Sequence, residues 1–121
     1  MIGIGTDLVE LDRFRLALAR TPRIAERLFS DAERAYAARR RDPTERLAAR
    51  FAAKEAVMKA MGVGLWKFKL RDVEVVRAPS GQPSVALHGR AAELAAEKGV
   101  TEWRLTLTHT DRVAQAIAVA L

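Results

Sequence analysis

The sequence predicts an α+β fold, an antiparallel sheet with a long central helix. Three observations carry this. The stretch from about Leu47 to Met61 is mostly alanine and larger apolar residues, the pattern of a helix covered on most sides. Segments before and after it alternate with a period of two, as half-buried strands do. The order is strand, helices, strands, helix, strands, with the helices clustered early.

Ile2 to Leu11 reads as the first strand, with Gly3, Gly5, Asp7, Val9 and Leu11 on one face. Two glycines ahead of an acid leave space around its carboxylate. Gly3-Ile4-Gly5 lacks the third glycine and the helix start of a dinucleotide fingerprint. Asp12 to Arg20 forms a short helix, and Thr21-Pro22 restarts it with Thr as N-cap and Pro at the first helical position. Ser30-Asp31-Ala32-Glu33 is a capping box opening another helix, ended by Arg39-Arg40-Arg41 at the negative end of its dipole. Asp42-Pro43-Thr44-Glu45 is a start signal for the central helix, and Gly62-Val63-Gly64 stops it. Asp72–Arg77 and Ser84–Leu87 are strands joined through Pro79-Ser80-Gly81-Gln82-Pro83. Arg90 to Lys98 is a helix closed by Gly99. Glu102–Thr110 and Val113–Leu121 are the last pair of strands, with Leu105, Leu107 and His109 sharing one face of the first.

The 121 residues suit a single domain spanning 1–121, and 50% apolar composition marks a folded chain. Without cysteine there is neither a disulfide framework nor a thiolate metal site, in keeping with a reducing compartment. Asp7 and Glu10 interrupt the apolar start, so no signal peptide is read there. No apolar run is long enough to span a membrane. The formal net charge is +6, and Asp12 to Arg50 holds 11 Arg against six acids. Such a patch fits a polyanion: nucleic acid, a phosphate-rich cofactor or an acidic protein.

Four charges interrupt the apolar central helix: Arg50, Lys54, Glu55 and Lys59. Arg50 and Lys54 project from within its apolar arc. Glu55 and Lys59 lie at the edge, four residues apart and therefore neighbours. Buried charge is costly without a partner, so something must compensate them. A surface helix with one Glu-to-Lys pair accounts for the same pattern. Asp7 and Glu55 form a possible carboxylate pair for a hard cation, while Arg50, Lys54 and Lys59 can bind or neutralise phosphates. Asp7 also reads as a strand-end residue bonded to a turn. His109, at a strand end, is either structural or an anion or proton partner. No nucleophile stands out.

The opening Gly3-Ile4-Gly5-Thr6-Asp7-Leu8-Val9-Glu10 and the central Arg50-Phe51-Ala52-Ala53-Lys54-Glu55-Ala56-x-x-Lys59-Ala60 resemble the holo-acyl-carrier-protein synthases, small phosphopantetheinyl transferases of fatty acid biosynthesis. Phe29-Ser30-x-x-Glu33, Ser80-Gly81-Gln82-Pro83 and Leu107-Thr108-His109-Thr110 extend the resemblance over nearly the whole chain. It implies a 4′-phosphopantetheinyl transferase-like fold. It also implies transfer of 4′-phosphopantetheine from coenzyme A to a serine of apo-acyl carrier protein, with release of adenosine 3′,5′-bisphosphate. It further implies Mg²⁺, with Mn²⁺ as a substitute, and a cytoplasmic homotrimer with sites shared between subunits. Asp7 and Glu55 match the metal ligands, and Lys59 matches a lysine beside the pyrophosphate; Glu55 and Lys59 are the catalytic candidates, Glu55 as proton acceptor for the serine hydroxyl. Arg50, Lys54, Lys59, Gly62, Gly64, Pro83, His109 and Thr110 match coenzyme A-binding positions. Arg13, Arg23, Ile24, Arg27 and Phe51 match carrier-docking positions. Val63 departs from the family, where many members carry Ser or Thr between the glycines.

Besides a purely structural trimer, which the charged residues of the central helix argue against, two other readings compete. A small basic nucleic-acid-binding module fits the pI of about 10.5. Only seven aromatics are present, and the Arg-rich region lacks interleaved stacking rings, so nucleic acid is not an expected partner; nor is a membrane, since no apolar run is long enough to span one. Phosphopantetheinyl transfer to polyketide or peptide synthase carrier domains is the second, although those broader relatives are longer chains.

Overall fold

A computed structural model describes residues 1–64 and 67–121. The elements follow as β1 (Gly3–Glu10), α1 (Leu11–Arg20), α2 (Arg23–Leu28), α3 (Asp31–Ala37), α4 (Thr44–Ala60), a 3-10 turn (Leu70–Asp72), β2 (Val73–Arg77), β3 (Pro83–Leu87), α5 (Gly89–Glu97), β4 (Trp103–His109) and β5 (Val113–Ala120). The strands form two antiparallel sheets, β1-β5-β4 and the hairpin β2-β3. In the larger one Gly3 and Trp103 both sit opposite Ala120, and Glu10 faces Val113. β3 contacts β4 but pairs only with β2.

The larger sheet lies on α4, and alanine sets how closely. Ala114, Ala116, Ala118 and Ala120 of β5 are fully buried, as are Ala48, Ala52, Ala53 and Ala56 of α4. Small side chains on both layers let strand and helix backbones approach. The approach is closest at β1: a Cβ on Gly3 would stand 1.8 Å from the carbonyl oxygen of Ala60, and one on Gly5 2.0 Å from that of Ala56. The two glycines therefore serve helix–strand contact; their role is not to clear space around Asp7. Larger apolar groups fill the flank, where Phe14 of α1 meets Phe51 of α4 at 5.4 Å between ring centroids and Phe29 edge-on at 6.4 Å. Fully burying a side chain such as Phe29 or Val57 contributes about 1.5–3 kcal/mol.

The ends of the helices follow local chemistry. α3 opens with the complete capping box: Ser30 Oγ accepts from the Glu33 amide, and Glu33 Oε1 accepts from the Ser30 amide. It ends at Ala37, so Arg39–Arg41 lie in the following turn. α4 begins three residues earlier than its apolar pattern, because Asp42 Oδ1 accepts from the Thr44 amide and starts the coil ahead of Leu47. α2 starts at Arg23, and Thr21 supports it through its carbonyl, which accepts from the Ile24 amide, not through a side-chain cap. Gly62, at φ 68°, takes the left-handed conformation that closes α4.

Candidate active site

β1 carries Asp7 along the face that its glycines press onto α4. Asp7 thereby meets the helix near Glu55 and Lys59. Lys59 Nζ donates to Asp7 Oδ1 at 3.2 Å and to the Thr6 carbonyl at 3.0 Å. The expected Glu55–Lys59 neighbour pair is not what forms: the lysine crosses to the strand, where it meets a carboxylate and a carbonyl together. Glu55 is half-buried, and burial first, then the negative charge of Asp7, raise its carboxyl above the usual pKa, with Lys59 opposing. A half-buried carboxylate facing a second one forms a place that a hard divalent cation relieves. Among the described residues there is no cluster of three or more metal-ligating side chains, so a cation here needs further oxygens from substrate or water. This donor set suits Mg²⁺, which keeps several waters and takes one or two carboxylates together with phosphate.

A second region is strongly cationic. A cleft of about 500 Å³ is lined by residues that include Tyr36, Arg46, Arg50, Arg77, Pro83 and His109. The Tyr36 ring collects the guanidinium groups of Arg46, Arg50 and Arg77 at 4.0, 4.4 and 4.6 Å, and of Arg39 at 5.6 Å. Cation–π contact lets these like charges share one small volume. Glu45 is the acid among the lining residues, with His109 Nε2 at 3.4 Å and Arg40 Nη1 at 3.7 Å from its Oε1. Arg50 is buried, which pulls its pKa down while Tyr36 and Glu33 oppose, and its Nε finds no acceptor. The clustered guanidinium groups lining the cleft are matched to a multiply charged phosphate ligand.

The cleft thus gathers Arg50, Pro83 and His109 of the expected coenzyme A set. Asp7, Glu55, Lys59, Gly62 and Gly64 do not line it. The Thr110 hydroxyl accepts from the amides of Arg112 and Val113 and closes the β4–β5 turn, which leaves only its O–H to donate elsewhere. Lys54 is a correction. It is 0% exposed, and its Nζ bonds Glu33 Oε1 at 2.8 Å, the Leu70 carbonyl at 3.1 Å and the Val73 carbonyl. All three of its donors are used inside the core, so no phosphate reaches it in this fold. Burial lowers its pKa, and the Glu33 carboxylate counters that.

A family model described as the 4′-phosphopantetheinyl transferase superfamily matches residues 3–118. The chain belongs to that superfamily. The transferase is 45% identical over 119 residues to a holo-acyl-carrier-protein synthase of Moorella thermoacetica, covering 98% of this chain and 93% of the relative. It is 48% identical over 122 residues to one of Frankia casuarinae, covering 99% and 97%. Among solved structures, the synthase of Neisseria meningitidis superposes with a TM-score of 0.91 at 29% identity, covering 100% of this chain and 99% of that one. The Bacillus anthracis synthase, solved in complex with CoA (3′,5′-ADP), superposes at 0.82 and 31% identity, covering 98% and 95%.

The transferase presents Arg13, Arg23 and Arg27 exposed on α1 and α2, and none forms an ion pair among the described residues. Ile24 and Phe51 are half-buried. Sequence reasoning missed three residues that the structure makes prominent. Tyr36, the one tyrosine, gives no signal in a run of Ala and Arg. Arg77, a strand-end residue, joins it only through the hairpin. Arg71 joins the turn Leu70–Asp72 to the α2–α3 corner, a contact that no spacing rule announces.

Proposed function

We propose that the transferase moves 4′-phosphopantetheine from coenzyme A to a serine of apo-acyl carrier protein, leaving adenosine 3′,5′-bisphosphate, in the fatty acid biosynthesis of the cytoplasm. The observation that carries this reading is the convergence of Asp7, Glu55 and Lys59 from β1 and α4. In the reaction the serine oxygen forms a bond to the β-phosphorus of coenzyme A, and the bridging P–O bond to the nucleotide half breaks. The hydroxyl proton passes to Glu55, directly or through water; a raised carboxyl pKa improves it as an acceptor. Lys59 leaves Asp7 for the pyrophosphate and stabilises the departing oxygen. Asp7 and Glu55 would hold Mg²⁺, which supplies charge neutralisation to the pyrophosphate when bound. Arg46, Arg50, Arg77 and His109 bind phosphate of the nucleotide half.

The cationic cleft and the carboxylate site are lined by different residues of one chain. A shared site in a trimer accounts for that, with the cleft of one subunit completing the carboxylates of the next. The outer face of the larger sheet supports this assembly, since Ile4, Leu8 and Ile117 stand 60%, 64% and 36% exposed there. The test is intact-mass analysis of apo-carrier protein incubated with coenzyme A and Mg²⁺. The carrier gains one phosphopantetheine with the unchanged chain; the gain falls by orders of magnitude with Asp7→Asn or Glu55→Gln, and the double variant is no worse than the poorer single one. Full activity of Glu55→Gln overturns both the cation site and the proton acceptor.

A further inference from the structure

We infer that Arg71 is a positioning residue for the carrier protein: it holds α2, and with it Arg23, Ile24 and Arg27, in docking geometry. The inference rests on the carrier-docking role that the resemblance implies for those residues. α2 is six residues long with no buried residue and no side-chain cap, and Pro22 precedes it. A helix that short is unstable by itself and ends in carbonyls without partners. Arg71 supplies those partners. Its Nη1 donates to the Glu26 carbonyl at 2.6 Å and the Phe29 carbonyl at 2.7 Å, and its Nη2 donates to Asp31 Oδ1 at 3.0 Å. One planar guanidinium therefore fixes the last turn of α2, the strand-like link after it and the start of α3.

The other end of this clamp is rigid. The turn bearing Arg71 is tied to α4 by the buried Lys54, which bonds the carbonyls of Leu70 and Val73 on either side of it. Lys54 precedes Glu55 on the same helix. The docking helix is thus referenced to the helix that carries the reacting carboxylate, through two side chains and the turn between them. Arg23 and Arg27 meet a carrier together only while α2 keeps that reference; a loosened α2 must be ordered before the carrier binds, which weakens apparent carrier affinity and leaves the step after binding unchanged.

The test compares Arg71→Ala and Arg71→Lys with Arg23→Glu in the full chain. KM is measured for apo-carrier protein and for coenzyme A, and amide deuterium exchange is followed over residues 24–29. Arg71→Ala is expected to raise the carrier KM about tenfold, with the coenzyme A KM and kcat at saturating carrier held within about twofold, and to release the amides of α2. Lysine keeps the charge but cannot span two carbonyls and a carboxylate, so Arg71→Lys is expected to fall between the two. It carries the test by itself if the alanine variant does not fold. An Arg71→Lys variant indistinguishable from the unchanged chain reduces Arg71 to a surface charge and overturns the inference. So does exchange that loosens at α2 while the carrier KM stays fixed and Arg23→Glu still raises it; the docking role then survives alone. If Arg23→Glu also leaves the carrier KM unchanged, the docking role fails and the inference with it. Equal loss against both substrates marks a general structural effect and likewise overturns it.

Discussion

Gly5→Ala tests how β1 sets the position of Asp7. The added Cβ would lie 2.0 Å from the Ala56 carbonyl oxygen, 2.7 Å from the Ala60 amide nitrogen and 2.9 Å from Lys59 Cβ. Two of these are backbone atoms inside α4 and cannot rotate away. Restoring ordinary contact requires β1 to retreat from the helix by about 1 Å or more, at a site where overpacking costs about 1–3 kcal/mol and here the upper end. For 121 residues the unfolding entropy near the midpoint is about 0.25 kcal/mol/K, so about 3 kcal/mol lowers Tm by roughly 12 °C. Asp7 follows two residues later on the same face, so the retreat also parts it from Glu55 and Lys59. Turnover should therefore fall further than the loss of folded protein explains, at temperatures where the variant is still folded. Circular dichroism melts and the intact-mass assay read the two effects separately. Gly64→Ala is the stability control, because among the described residues nothing stands within 4 Å of a Cβ added there. A Gly5→Ala protein melting within about 2 °C of the unchanged chain, with normal turnover, refutes the close-contact account of β1.

Glu55→Gln should raise Tm at pH 7 without metal, because burial and Asp7 disfavour the ionised carboxylate in the folded state. With the folded carboxyl held above its ordinary value near 4.5, the penalty on ionised Glu55 grows as pH rises from that ordinary value and is complete above the folded pKa, so the advantage of Gln should vanish below about pH 4.5. Melts from pH 4 to 8 show whether the gain follows that direction. Lys54→Met should cost about 3–5 kcal/mol in urea unfolding by stranding the buried Glu33, and adding Glu33→Gln should return part of it. Additive losses in that pair of variants contradict a coupled ion pair.

The element order, the antiparallel strands and the capping box at Ser30 were legible because each rests on local periodicity or a short-range bond. Asp7 and Glu55 were one possible carboxylate pair on residue chemistry alone, and the resemblance singled them out, since nothing in the spacing brings β1 onto α4. Lys54 shows why charge in an apolar helix is ambiguous. A ligand-facing lysine and a core lysine look alike until Glu33, Leu70 and Val73 are placed around it. Lys59 shows the reverse error: its helical neighbour Glu55 was the nearest acid in sequence, yet Asp7 on the strand is nearer in space. Glu33 was read as half of a cap, and it is also the buried counterion and the acceptor for the Val75 amide.

The pairing of β1 with β5 has a consequence for synthesis of the chain. Thr6 bonds the Ala116 carbonyl across 110 residues of sequence, and Asp7 sits opposite Ala116 in the register. Closing so long a loop is slow relative to forming helices, and here it must wait for β5 to be made. A nascent chain on the ribosome can therefore assemble α4 with Glu55 and Lys59 while the strand holding Asp7 is still unpaired. The central helix can exist early, but the strand that sets Asp7 against it gains its hydrogen-bonded neighbour only with the last strand. Partly synthesised chains should thus be unable to draw on the coenzyme A pool before translation has delivered the residues around Ala116.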